Sequence, residues 1–288
     1  MKVIIIFADN DFLMGRLMGI APVTDAQVYT AFAVTFLAGL ATLVGGGLVL
    51  FLKKPNYRVL AFGLAFAAGA MIYVSLTEIL NKSISSFSLA FDEKSGFAYG
   101  TFAFLLGVVL VLLLDRFVPN PHETIEAQSK QDLSQPQLLR TGLLTLFAIS
   151  AHNLPEGLAT FFATLESPAL GAPLAVAIAI HNVPEGVAIA LPVYGATGRK
   201  DYALVASLVS GLAEPLGAAL GYFILAPYMS HTIYGMVFGI IGGVMVYLAL
   251  DELLPTAKRF SKGHETVYGL VSGMAALATS LVIFKFVQ

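Results

Sequence analysis

Eight apolar runs, each about 20 residues long, follow one another along the chain, and they leave few folds open. They cover residues 28–52, 59–80, 97–117, 141–165, 172–194, 202–226, 232–254 and 267–288. A run of that length crosses the hydrocarbon core of a bilayer as one helix, because the backbone must satisfy its own hydrogen bonds there. Only 12% of the residues are charged, where a soluble domain carries roughly a quarter. The chain therefore reads as an all-α, polytopic membrane protein of eight transmembrane helices.

Residues 1–27 read as an extracytoplasmic N-terminal extension, since their one apolar stretch, 3–7, is too short for a signal-peptide core. Residues 28–288 read as a single eight-helix domain, with a polar loop at 81–95 and a longer, cytoplasmic one at 118–140. The segments after the first, third, fifth and seventh runs, with the run ends beside them, hold 11 Lys and Arg against 5 on the other side. Positive charge marks the cytoplasmic face, so both termini are expected outside.

The second and seventh runs repeat one another. Gly69 to Leu80 aligns without gaps on Gly243 to Leu254, matching at Gly, Met, Tyr, Leu, Glu and the final Leu. Tyr99-Gly100 and Tyr268-Gly269 are a fainter echo at the heads of the third and eighth runs. The second run starts inside and the seventh outside, so the repeat is inverted, as in many secondary transporters. Runs 1–3 and 6–8 would be the two halves of a 3+2+3 arrangement, with runs 4 and 5 between them.

Those central runs carry the chemistry. His152-Asn153-Leu154-Pro155-Glu156-Gly157 returns as His181-Asn182-Val183-Pro184-Glu185-Gly186. A lone His or Asn in a span is commonly a packing hydrogen bond, but a duplicated hexapeptide of this kind is not. With about 100° per residue, Glu156 falls between His152 and Asn153 around its helix, and Glu185 between His181 and Asn182. Each carboxylate can therefore serve two neighbouring sites, one of His2Glu2 type and one of Asn and Glu. The first suits zinc and other borderline ions, the second harder or looser coordination. Glu214, also followed by Pro, is the natural extra carboxylate. Pro155, Pro184 and Pro215 withhold a backbone donor, so a kink is expected at each.

Three carboxylates at membrane depth would cost roughly 8–10 kcal/mol unpaired. No Lys or Arg lies mid-run to pair with them, so a divalent cation, or protons in its absence, must neutralise them. There is no Cys, which leaves His, Asp, Glu and Asn as ligands. Glu78, Asp251 and Glu252 lie near run ends and read as stations on the way in and out. The loop histidines His122, His231 and His264 read as surface residues. A net charge of −2 with no basic cluster points away from nucleic acid.

The paired hexapeptides, Glu214-Pro215, "AFGLAFAAGAMIYVSLTEIL" and "DELLP" resemble the ZIP (Zrt/Irt-like) metal transporters, in particular their bacterial branch, over residues 28–288. The resemblance implies eight spans with termini outside and uptake of a divalent cation through the bacterial inner membrane. It implies that His152, Glu156, His181 and Glu185 bind the transported ion, and that Asn153, Asn182 and Glu214, with the shared glutamates, form a second site. Some members have Gln-Asp where this chain has His181-Asn182, so its second site is less acidic. Many carry a His-rich loop after the third span; here that loop offers His122 alone. The cargo expected is Zn2+ first, then Fe2+, Mn2+, Co2+ or Cd2+, with no catalytic cofactor. The expected partners are these ions and the lipid bilayer, with a homodimer as the candidate assembly. The rival reading is an intramembrane metal-dependent hydrolase, which needs an open metal position and a general base; no His-Glu-x-x-His is present.

Overall fold

The computed structural model describes residues 24–51, 56–115, 135–225, 228 and 230–287. Their regular structure is helical throughout, with no strand among the described residues. In chain order the helices are α1 (Asp25–Leu48), α2 (Tyr57–Val74), α3 (Leu80–Ala90), α4 (Glu93–Asp115), α5 (Gln135–Glu166), α6 (Pro168–Thr197), α7 (Lys200–Gly211), α8 (Ala213–Leu220), α9 (His231–Leu248), α10 (Leu254–Phe260) and α11 (Glu265–Val287). A π-helical turn, Ser75–Ile79, fuses α2 to α3, and another, Ala249–Leu253, fuses α9 to α10. Among the described residues, seven helical segments are long and apolar enough to cross a membrane. The chain is a multi-pass membrane protein. α5, expected as a further span, is helical throughout but is not one of those seven.

Local chemistry sets the ends. Thr24 and Gln27 form a capping box, with the Thr24 hydroxyl accepting from the Gln27 amide at 3.3 Å and the Gln27 carbonyl oxygen accepting from the Thr24 amide at 2.8 Å. The first helix thus begins at Asp25, slightly ahead of the expected start. The rest of the N-terminal extension lies outside the described residues, as does most of the 118–140 loop, including His122; residues 135–140 are the first turns of α5.

The loop expected at 81–95 is corrected by the structure. Residues 81–90 are helical, and only Phe91 and Asp92 separate α3 from α4. The polar side chains that suggested a loop are spent on neighbours. Ser83 donates to the Gly235 carbonyl at 2.6 Å, Ser86 to that of His231 at 2.8 Å, and Asn81 and Ser88 to carbonyls one turn back. Asp92 then caps α4, accepting from Ser95 Oγ and from the amides of Lys94 and Ser95. Those donors, the Ser95 hydroxyl foremost, hold its carboxyl below the usual carboxylate range.

The repeat is carried into the packing. Each π turn opens at the same place after the repeat's first glycine, Gly69 or Gly243, and each contains the matched glutamate, Glu78 or Glu252. Gly69 lies against the backbone of Leu270 in α11, and Gly243 against that of Phe104 in α4. Gly273 of α11 in turn meets Phe66, and Gly107 of α4 meets Ile240. Phe66 and Ile240 stand at matched positions before Gly69 and Gly243. These contacts correct the fainter echo. In this register Gly269 matches Ala103, not Gly100: Gly269 meets Ala65 as Ala103 meets Gly239, whereas Gly100 packs on Ile84.

Two bodies result. One contains α1, α5, α6, α7 and α8; the other contains α2, α3, α4, α9, α10 and α11. Their broadest meeting is α2 against α6. Within the first body, α5 and α6 remain helical through Pro155 and Pro184, while a single turn residue with helical dihedrals, Leu212, separates α7 from α8 just before Pro215. The Glu214 backbone lies against Gly157, where a methyl group would overlap the Glu214 carbonyl.

Gly157→Ala is therefore expected to destabilise the protein by about 1–3 kcal/mol, the usual cost of overpacking. Gly47→Ala, whose Cβ would meet nothing within 4 Å, should leave the thermal midpoint in detergent unchanged or raised. Equal midpoints for the two variants would contradict the close approach of α5 and α8.

Candidate metal centre

The two hexapeptides face one another at the contact of α5 and α6. His152 is 5% exposed, and Asn153, Glu156, His181, Asn182, Glu185 and Glu214 are fully buried. Glu156 lies at the middle of the cluster. Its Oε1 is 3.0 Å from His181 Nε2 and 3.4 Å from His152 Nε2. His152, Glu156 and Glu185 each present one ligand atom, and these atoms lie within 4.8 Å of one another. His181 stands beside this trio. Its Nδ1 is 3.0 Å from the Ala177 carbonyl and its Nε2 faces Glu156, so the ring orients the central carboxylate.

Behind Glu156 lies the amide half. Asn153 Nδ2 donates to the Ser210 carbonyl at 3.1 Å, and Asn182 Nδ2 to that of Ala38 at 3.0 Å and to Glu214 Oε1. Both amide nitrogens are thus committed, and both amide oxygens are buried without a hydrogen-bond donor. Six buried oxygens of this cluster have no hydrogen-bond donor: Asn153 Oδ1, Glu156 Oε2, Asn182 Oδ1, both oxygens of Glu185, and Glu214 Oε2. Buried polar atoms are ordinarily paired, because leaving one unmet costs about 1–3 kcal/mol. Among the described residues no Lys or Arg forms an ion pair with the three carboxylates. An acceptor-only shell with one imidazole is the donor set of a divalent cation.

Residues outside the hexapeptides complete the site. Met71 of α2, fully buried, sets its sulfur 3.3 Å from His152 Nε2. It sits in the repeated segment, the one sequence signal that marks it. Ser210 and the Ala38 carbonyl, which fix the two amides, carry no signal in the sequence. One cavity is lined by His152, Glu185, Thr145, Ile149, Glu252 and Thr256, among others. Glu252 thus shares a cavity with His152 and Glu185; Asp251 and Glu78 do not line it. On the opposite side the bundle is filled by Phe161, Phe162, Leu174 and Ile178, each at most 2% exposed.

Fold and site together define a membrane protein with a buried, acceptor-rich centre between helices of one body. Residues 119–281 match the model of the family described as ZIP Zinc transporter. The chain is 65% identical over 262 residues to a protein named zinc transporter ZupT from Stenotrophomonas maltophilia strain R551-3, covering 90% of this chain and 97% of that one. It is 61% identical to a protein of the same name from Neisseria meningitidis serogroup B, covering 91% and 98%. With the one from Streptococcus mutans serotype c it shares 44%, covering 90% and 98%. The chain belongs to the ZIP family, as the hexapeptides suggested.

Glu185, with two unmet oxygens, should weaken the metal-depleted protein. Glu185→Met is expected to raise its thermal midpoint, by up to about 3 kcal/mol in stability. A lowered midpoint would show that the carboxylate is satisfied in the absence of metal.

Proposed function

We propose that the chain takes up divalent metal cations, zinc first, across the bacterial cytoplasmic membrane. The observation that carries this is the set of six buried oxygens without donors around Glu156 and Glu185. Family membership and relatives named zinc transporters support it. The protein is a transporter and not an enzyme. The hydrolase reading is set aside: its support was a metal centre alone, and the relatives are transporters of nearly the same length.

His152, Glu156 and Glu185 are the primary ligands in this reading, with His181 joining when the ion displaces its contact with Glu156. Asn153, Asn182 and Glu214 form the second half, sharing Glu156 and Glu185. Glu252 receives the ion on the way out, with Asp251 beside it, and Glu78 stands on the way in. Fe2+, Mn2+, Co2+ and Cd2+ are further cargoes that an oxygen- and imidazole-rich shell with a nearby thioether accommodates.

The membrane arrangement we propose has eight spans, α5 included, with both termini outside, residues 28–288 as one transporter domain and residues 118–140 as a cytoplasmic loop. The matched π turns and the mirrored contacts of α2–α11 and α9–α4 support a 3+2+3 inverted repeat. The cavity at Glu252 then faces the cytoplasm. The ion is carried as the body holding α5 and α6 shifts against the other. α4 and α11, whose apolar side chains are largely exposed, offer the surface for a homodimer.

Reconstituted protein should accumulate radiolabelled zinc in vesicles, and His181→Ala or Glu185→Ala should abolish it. Glu252→Gln should slow uptake by about tenfold while leaving zinc affinity of the solubilised protein within about threefold, as expected of a residue that the ion passes but that neither ligates it at the centre nor holds a ligand in place. Metal-dependent peptide cleavage without flux would overturn the reading.

A further inference from the structure

Away from the metal centre, a second group of partly buried charge joins the two bodies. Glu166 is the last residue of α5, and its Oε2 accepts a hydrogen bond from the Tyr234 hydroxyl of α9 at 2.5 Å. Lys82 Nζ of α3 is buried without a hydrogen-bond partner. The metal centre uses none of these groups.

Lys82 and Tyr234 sit on one rigid surface. The Ser83 and Ser86 hydroxyls fasten α3 to α9, Gly235 backs onto the Phe87 ring, and Tyr234 stacks on Phe238 at 4.2 Å. Glu166 belongs to the other body, because α5 packs mainly on α6 and α8 and touches α9 lightly. The contact therefore crosses the boundary along which the bodies would shift. It also stands at the far end of α5 from Thr145, which lines the cavity.

We propose that the Tyr234 hydroxyl is a latch on Glu166 that keeps the outer end of the metal-bearing body closed while the inner cavity is open. The inference rests on the transport reading above. Opening the outer end separates Glu166 from Tyr234, and each must then be met by water. A hydrogen bond to a charged acceptor, once lost, shifts a two-state equilibrium by about tenfold or more.

The chain has no cysteine, so single reporters can be read cleanly. Ala163 is fully buried and falls on the same face of α5 as His152 and Glu166, toward the outer end. With Ala163→Cys as reporter in metal-free protein, Tyr234→Phe should raise the rate of modification by a charged maleimide about tenfold. Adding Glu166→Gln to Tyr234→Phe should raise it little further. Thr145→Cys in the same backgrounds reports the inner cavity and shows that each variant has folded. Unchanged Ala163→Cys rates beside a reactive Thr145→Cys would overturn the latch and leave the transport reading intact. An unreactive Thr145→Cys with the latch intact would overturn the inner opening, and the latch with it.

Discussion

Everything in this structure turns on three carboxylates held inside an apolar bundle, with no Lys or Arg among the described residues paired to them. Glu156, Glu185 and Glu214 are fully buried, and one or both oxygens of each lack a donor. A protein selected for stability alone would not keep them, since each costs about 2.5–3.5 kcal/mol at membrane depth. Their persistence is accounted for by a cargo that supplies the missing positive charge.

The surrounding fold is arranged to hold those groups still. Asn153 and Asn182 spend their amide nitrogens on the Ser210 and Ala38 carbonyls, and their oxygens are buried without a donor. Gly157 lets the Glu214 backbone approach α5, and the Glu214 side chain meets Asn182. These contacts all lie within one body. The second body contributes Met71 from α2 and Glu252 from the π turn after α9. The buried hexapeptide residues and Glu214 thus stand in one body, bordered by single side chains of the other.

Much of this was legible in the sequence because charge is rare in it. A His, Asn or Glu inside an apolar run stands out, and the helical period alone set Glu156 between His152 and Asn153. The repeat around Glu78 and Glu252 was legible for the same reason, and the structure adds a π turn at the matched place in each copy. What was not legible depends on partners far along the chain. Ser83 and Ser86 read as loop residues because their acceptors, Gly235 and His231, lie on another helix. Met71 is apolar by composition, so nothing but its place in the repeat set it apart. His181 and His152 read alike in the sequence; in the structure the His181 ring spans Ala177 and Glu156, while His152 faces Glu156 and Met71. Such differences arise from helix rotation and packing, which residue spacing does not encode.

The most direct measurement is the position of the ion itself. Crystals grown with zinc and measured at its absorption edge should show anomalous density between α5 and α6, bounded by His152, Glu156 and Glu185. Density confined to the surface histidines or to the helix ends, with none between α5 and α6, would contradict the account.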